Sequence, residues 1–197
     1  MATAPFFGDP AANAKVWSKY AVLLGGLTAD IPVGNAAFTL NNPTAGTPIL
    51  DQWDPIGALA DDAPFDDGAE SITTTPHTAA GFGRYATTYS DQNEMVTFAA
   101  KETTLVTLGI VYDTTDLEED DGNLSGVLKQ RDPTKKYLVA FHRENGTECE
   151  RRISMNFATI ESISKSFGNK ESLRTVTMLI VPTVDAELYS YYLGEKA

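Results

Sequence analysis

At 197 residues, with 42% hydrophobic and 10% aromatic content, the chain is long enough for one domain with a substantial core and too apolar to stay disordered. Its 15 Lys+Arg face 27 Asp+Glu, a formal net charge of -12. That balance argues against a sequence-specific nucleic-acid binder or an anionic membrane surface as partner, since both need a basic footprint.

A lone cysteine, Cys149, forbids an internal disulfide and reads as a small strand residue in a cytosolic product. One cysteine with His77 and His142 makes no convincing zinc site. The start of the chain has no basic, apolar leader pattern, and the apolar stretch Tyr20 to Leu24 is far too short to span a bilayer, so neither ordinary secretion nor membrane insertion is expected. The glycosylation-like triplets at Asn123 and Asn145 are read as chance matches.

Residues 1–14, rich in Ala, Pro and Asn around Phe6 and Phe7, read as an extended arm packed on a neighbour. Val16 to Leu24 follows as a strand stopped by Gly25 and Gly26. Residues 25–50 read as loop from their Gly, Pro, Asn and Thr content. Trp53 to Leu59 opens a strand at an edge, because Pro55 cannot donate to a ladder. Residues 60–83 form a long connection that begins with an acidic turn carrying Asp61, Asp62, Asp66 and Asp67. Within it, Ile72 to Thr75 pairs with Arg84 to Thr88 as a hairpin whose tip holds Phe82 between Gly81 and Gly83. Glu94 to Ala99 alternates as a strand should.

Thr103 to Val111 is the one helix candidate, with Thr103 or Thr104 as cap and Leu105, Leu108 and Val111 at helical spacing. Residues 113–126, with Glu118, Glu119, Asp120 and Asp121, read as an exposed, mobile acidic loop. From Tyr137 the chain turns to β-sheet. Tyr137 to Glu144 and Cys149 to Phe157 flank Asn145-Gly146, a dipeptide suited to a type I′ turn. Ile160 to Lys165, Leu173 to Val181 and Leu188 to Leu193 complete the series, with Thr175 to Val181 expected to be covered on both faces.

No reactive constellation appears. Nucleophile elbow, phosphate-cradling glycine loop and His-Glu-x-x-His motif are all missing. The acidic runs do not fit a calcium loop, because counting back from Gly68 or Gly122 puts Ala63 or Leu117 where the first Asp belongs. No cofactor or metal is expected. Tyr189, Tyr191 and Tyr192 could form a stacking platform, but packing in a core or interface is the simpler reading.

Trp53 to Leu59 followed by an acidic turn, the strand Met95 to Phe98 running into Lys101 to Gly109, and the strand series from Tyr137 to Val184 together resemble the major tail, or tail tube, proteins of long-tailed phages, most closely those of actinobacteria. The likeness covers residues 50–185 and lies in order and spacing, not in reactive groups. It implies a mainly β fold, a β-sandwich or small barrel with one flanking helix, in a single domain over residues 1–197. It implies hexameric rings stacked into a tube that conducts the genome, in a virion tail made in the host cytoplasm. The implied partners are other copies of the chain, a tape measure protein and tail-end proteins, with DNA passing through unbound and no enzymatic role. Long loops and arms would clamp ring to ring. Phe6, Phe7, Asp66, Asp67, Phe82, Arg84, Glu118 and Asp120 are the contact residues expected on that basis. The acidic balance suits a lumen to which DNA does not stick, and the pairs Lys135-Lys136 and Arg151-Arg152 would face acidic loops of neighbours. Two other readings stay open: a carbohydrate- or receptor-binding β-sandwich, which needs an aromatic and polar platform, and a small hydrolase, which needs two convergent carboxylates.

Overall fold

The computed structural model describes residues 17–40, 52–60, 65–67, 72–75, 86–89, 94–120, 123–167 and 172–196. In chain order its elements are β1 (Lys19–Gly25), β2 (Trp53–Pro55), β3 (Phe65–Asp67), β4 (Ile72–Thr75), β5 (Ala86–Tyr89), β6 (Glu94–Ala100), α1 (Leu105–Val111), β7 (Tyr112–Asp120), β8 (Asn123–Gln130), β9 (Lys136–Glu144), β10 (Glu148–Ser154), β11 (Ala158–Phe167), β12 (Ser172–Ile180) and β13 (Tyr189–Glu195). The described residues are mainly β with one short helix, and their named strands pair antiparallel.

One half of the body has the strand order β2-β1-β9-β10-β13, the other β9-β11-β12-β6-β3. Strand β9 belongs to both. Leu138 to Glu144 pair with β1, while Lys136 and Tyr137 pair with Thr159 and Ala158 of β11. Between the halves lies the main core: Val22 and Leu24 of β1, Val139 and Phe141 of β9, Phe98 of β6, Ile160 of β11 and Met178 of β12, with Ile110 of α1. Full burial of each large apolar side chain is worth roughly 1.5–3 kcal/mol.

A second cluster lies on the opposite face of β1, β9 and β10, where Leu23, Leu138, Ala140 and Ile153 meet Trp53 and Ala29, with Ile31 and Phe38 packed over them. Residues 26–40 are thus a strap, irregular in backbone as expected but closed over a sheet face. Trp53 is fully buried and donates from Nε1 to the Asp30 carbonyl at 2.8 Å, and Phe38 meets its ring edge-on at 5.2 Å.

The helix forms where its cap permits. Thr104 accepts from the Thr107 amide at 3.2 Å, and Thr107 Oγ1 accepts from the Thr104 amide at 2.8 Å, so the two threonines close a reciprocal capping box. Buried Arg174 holds the approach to the helix, donating to the Glu102 carbonyl and to Thr103 Oγ1.

Four expectations are corrected. Residues 113–126 are not a loop: they lie largely within the paired strands β7 and β8. Part of the acidic turn, Phe65–Asp67, is a strand paired to β6. The strand covered on both faces is β9, buried continuously from Tyr137 to Phe141, whereas β12 alternates, because its outward Thr175 and Thr177 face away from the core. The β9–β10 turn is centred on Gly146-Thr147: the amide and carbonyl of Asn145 exchange hydrogen bonds with those of Glu148, and Asn145 Oδ1 accepts from the Glu148 amide. Among the described glycines only Gly34, Gly57 and Gly126 take positive φ, so this is not a type I′ turn. The β4–β5 hairpin is as expected. The arm at residues 1–14 and the tip at residues 76–83 lie outside the described residues.

Candidate assembly surfaces

The β7–β8 hairpin is a ribbon of its own, separate from the main sheet. Its register pairs Leu117 with Gly126, Glu118 with Ser125 and Asp120 with Asn123. Strand alternation therefore gives it two unlike faces. Glu118 and Asp120 lie on one, with Ser125 and Val127. Leu117, Leu124 and Leu128 lie on the other. Val127 is 59% exposed and Leu128 44%.

The ribbon is anchored at its base. The helix α1 runs directly into β7, and Lys165 donates to Tyr112 Oη at 3.0 Å with its ammonium over the Tyr112 ring. Asp116 and Lys129 form an ion pair across the strands. Gly126 has φ 135°, and a Cβ there would run into the Asp116 carbonyl, so the crossing needs glycine. Near this base Asp113 and Asp132 accept from Thr115 and Thr134, which holds both carboxyls below the ordinary value. Leu117 and Leu124 are half-buried while most of the ribbon is exposed, and a two-stranded ribbon is marginal alone.

The second surface is β13. Among the described strands it pairs with β10 alone, which leaves its outer edge open. Such an edge is a template for another strand. Tyr191 is 57% exposed on it and Leu193 is also exposed, while Tyr189 packs on the main core and Tyr192 donates to the Glu195 carbonyl. The three tyrosines therefore do not form one platform.

Charged groups brace the sheet beside this edge. Glu144, with its side chain 13% exposed, lies 3.2 Å from Lys19 Nζ of β1 and 2.7 Å from Lys196 Nζ just past β13. The Lys196 contact, with those of Lys19 and His142, pulls its carboxyl down to about 2. On the other face Arg143 Nε donates to Glu150 Oε2 at 2.7 Å and its guanidinium lies over the Trp17 ring.

Of the expected contact residues, Glu118 and Asp120 lie together near the outer end of the hairpin, both exposed. Asp66 and Asp67 are on β3, paired to Thr97 and Val96. Phe6, Phe7, Phe82 and Arg84 lie outside the described residues. Lys135 and Lys136 are exposed, as a contact pair requires, but Arg151 is not: it is 4% exposed and spent inside its own fold, so its role at a neighbour is withdrawn.

The hairpin itself is hidden in the sequence by its acidity, although the sequence carries a turn-type dipeptide, Asp-Gly, between Asp120 and Asn123. Among the described residues no three His, Cys, Asp or Glu side chains are grouped as a metal site, and no helix is long and apolar enough to cross a membrane. No protein-family model matches the chain, and no curated protein matches it.

Proposed function

We propose that this chain is a structural virion protein, a tail tube subunit that assembles into hexameric rings stacked as a conduit for the viral genome. The observation that carries the reading is the β7–β8 hairpin, two-faced and anchored at its base, on a body that also leaves the β13 edge open. Among the described residues nothing pairs with the β13 edge or with the hairpin's strands from outside, and the free energy of covering them is available to assembly. The resemblance of residues 50–185 to tail tube proteins supplies the geometry of rings and tube.

The charge balance fits the same role. With a net -12 per subunit, a tube has acidic side chains to present to DNA, and a lumen without lysine and arginine offers no counterion release to hold a phosphate backbone. The chemistry asked of the protein is non-adhesion, so no catalytic group is part of the proposal. Copies of the chain are its main partners, with tape measure and tail-end proteins at the tube ends.

Negative-stain microscopy of the purified protein tests this. Rings or tubes are the expected result. A monodisperse monomer at high concentration and moderate salt would overturn the proposal.

A further inference from the structure

The strap over the second core is fastened by an unusual pair. Arg151, 4% exposed, is a buried cation whose contacts are with the strap itself. Its Nη1 donates to the Ala36 carbonyl at 2.6 Å and more weakly to the Gly34 carbonyl, and its guanidinium lies 4.6 Å from the Phe38 ring centroid. Among the described residues no carboxylate faces it in an ion pair. Directly opposite Arg151 in the β9–β10 register stands His142, whose ring meets Phe38 edge-on at 6.2 Å.

Among the described residues, two buried polar atoms at this place have no hydrogen-bond partner, Arg151 Nε and His142 Nδ1. The other imidazole nitrogen, Nε2, lies 3.5 Å from Glu144 Oε2. That contact places the single proton of neutral His142 on Nε2 and leaves Nδ1 bare. A second proton, taken from solvent, would have to go on Nδ1. It would create a buried donor with no acceptor, and a second cation facing Arg151.

The groups around His142 weigh in both directions. Glu144 on its own strand favours the cation, and the carboxylate is shared with Lys19 of β1 and Lys196. Arg151 of β10 and Lys196 oppose it. Ala21 of β1 and Phe38 of the strap are uncharged, and Tyr192 of β13 stands opposite Arg151 on its other side. Burial comes first and Arg151 second in holding the imidazole below its ordinary value, so the closed strap favours the neutral form.

We infer that residues 33–38 of the strap are an acid-released latch, closed while His142 is neutral and opened when His142 takes a proton opposite Arg151. The open form restores water to the imidazole and the guanidinium. It gives up the carbonyls of Gly34 and Ala36 and uncovers Phe38 and the edge of Trp53. The strap's grip on Trp53 at the Asp30 carbonyl and its Ala36 amide bond to the Val33 carbonyl are the local reporters.

The sign is that of a depressed histidine. The closed state is undisturbed above about pH 6.5, the ordinary imidazole value, and loses stability relative to the open state as pH falls toward the depressed value. In that window the opening constant rises by up to about tenfold per pH unit.

Hydrogen exchange by nuclear magnetic resonance on the full chain tests the latch at pH 7.5 and pH 5, corrected for intrinsic rates. The expected result is loss of protection at the Ala36 amide and the Trp53 indole at pH 5, with core amides of β12 unchanged. In His142→Gln the loss should disappear. Should that variant fail to fold, His142→Asn serves instead, with the same loss of the pH step expected and Arg151 left in place to hold the strap. Equal protection at both pH values in the unaltered chain overturns the inference, as does a full pH step that survives in His142→Gln or His142→Asn.

Discussion

Replacing Glu144 with Gln should loosen the sheet beside β13 by a measurable amount and in a pH-dependent way. The carboxylate joins three separate stretches of chain, through Lys19 on β1, His142 on its own strand and Lys196 beyond β13. The fall of its carboxyl from 4.5 to about 2 sets a ceiling of about 3 kcal/mol on what ionisation contributes to folding. Lys19 is 74% exposed, and solvent screening reduces that ceiling to about 1–2 kcal/mol. The folded value lies below the unfolded one, so the contribution is complete above about pH 4.5 and is lost as pH falls through about 2. Urea denaturation followed by circular dichroism reads this directly. With a slope of about 2 kcal/mol/M, Glu144→Gln should lower the midpoint by about 0.5–1 M at pH 7. The gap to the unaltered protein should hold constant from pH 6.5 to 8, above the His142 window, and close progressively below pH 4.5. An unchanged midpoint at pH 7, or a gap that is as wide at pH 2.5 as at pH 7, would refute the reasoning.

Thr107→Val keeps the shape of a buried side chain but removes the hydroxyl that serves Glu102 and Thr104, and thermal unfolding should show a loss of about 1–2 kcal/mol. Trp53→Phe should cost about 2–4 kcal/mol in the same assay, from the volume lost at a fully buried site and the orphaned Asp30 carbonyl. Leu128→Ser on the exposed hairpin face should leave subunit stability within about 0.5 kcal/mol while reducing the yield of rings or tubes seen by microscopy. Gly126→Ala should disturb the β7–β8 register and slow assembly, with little change in the melting of the main body; normal amide exchange across Leu117 and Leu124 would contradict it.

Much of the β architecture was legible because burial leaves a period in the sequence. β6 and β10 to β13 fall within a few residues of their expected bounds, and the helix follows its threonine cap. The hairpin at residues 113–126 was not legible by the same means. A ribbon outside the main sheet has no core face to fill with apolar side chains, so the acidic β7 reads as a charge run. The double coverage of β9 was written in the unbroken run Tyr137 to Phe141. The apolar run at Val176 to Val181 points instead to β12, where Thr175 and Thr177 mark an outward face. The strap could not be foreseen, because Ala29, Ile31 and Phe38 are spaced without period and their partners lie on strands distant in sequence. Arg151 illustrates the remaining limit: adjacent to Arg152 it reads as half of a surface pair, and strand alternation sends the two to opposite faces.

Strand β9 carries a consequence for how the molecule bears load. It is a member of both halves of the body, so the halves are joined by peptide bonds as well as by side-chain packing. A force pulling on the β13 side reaches β12 and β6 along a covalent main chain through β9 and its ladders. The halves cannot slide apart on their apolar interface, as two separate sheets can, without first stripping hydrogen bonds from β9. The ladder from β9 to β11 is only Ala158–Tyr137 and Thr159–Lys136, so under load the halves should part first at that short junction, hinging on the unbroken main chain of β9.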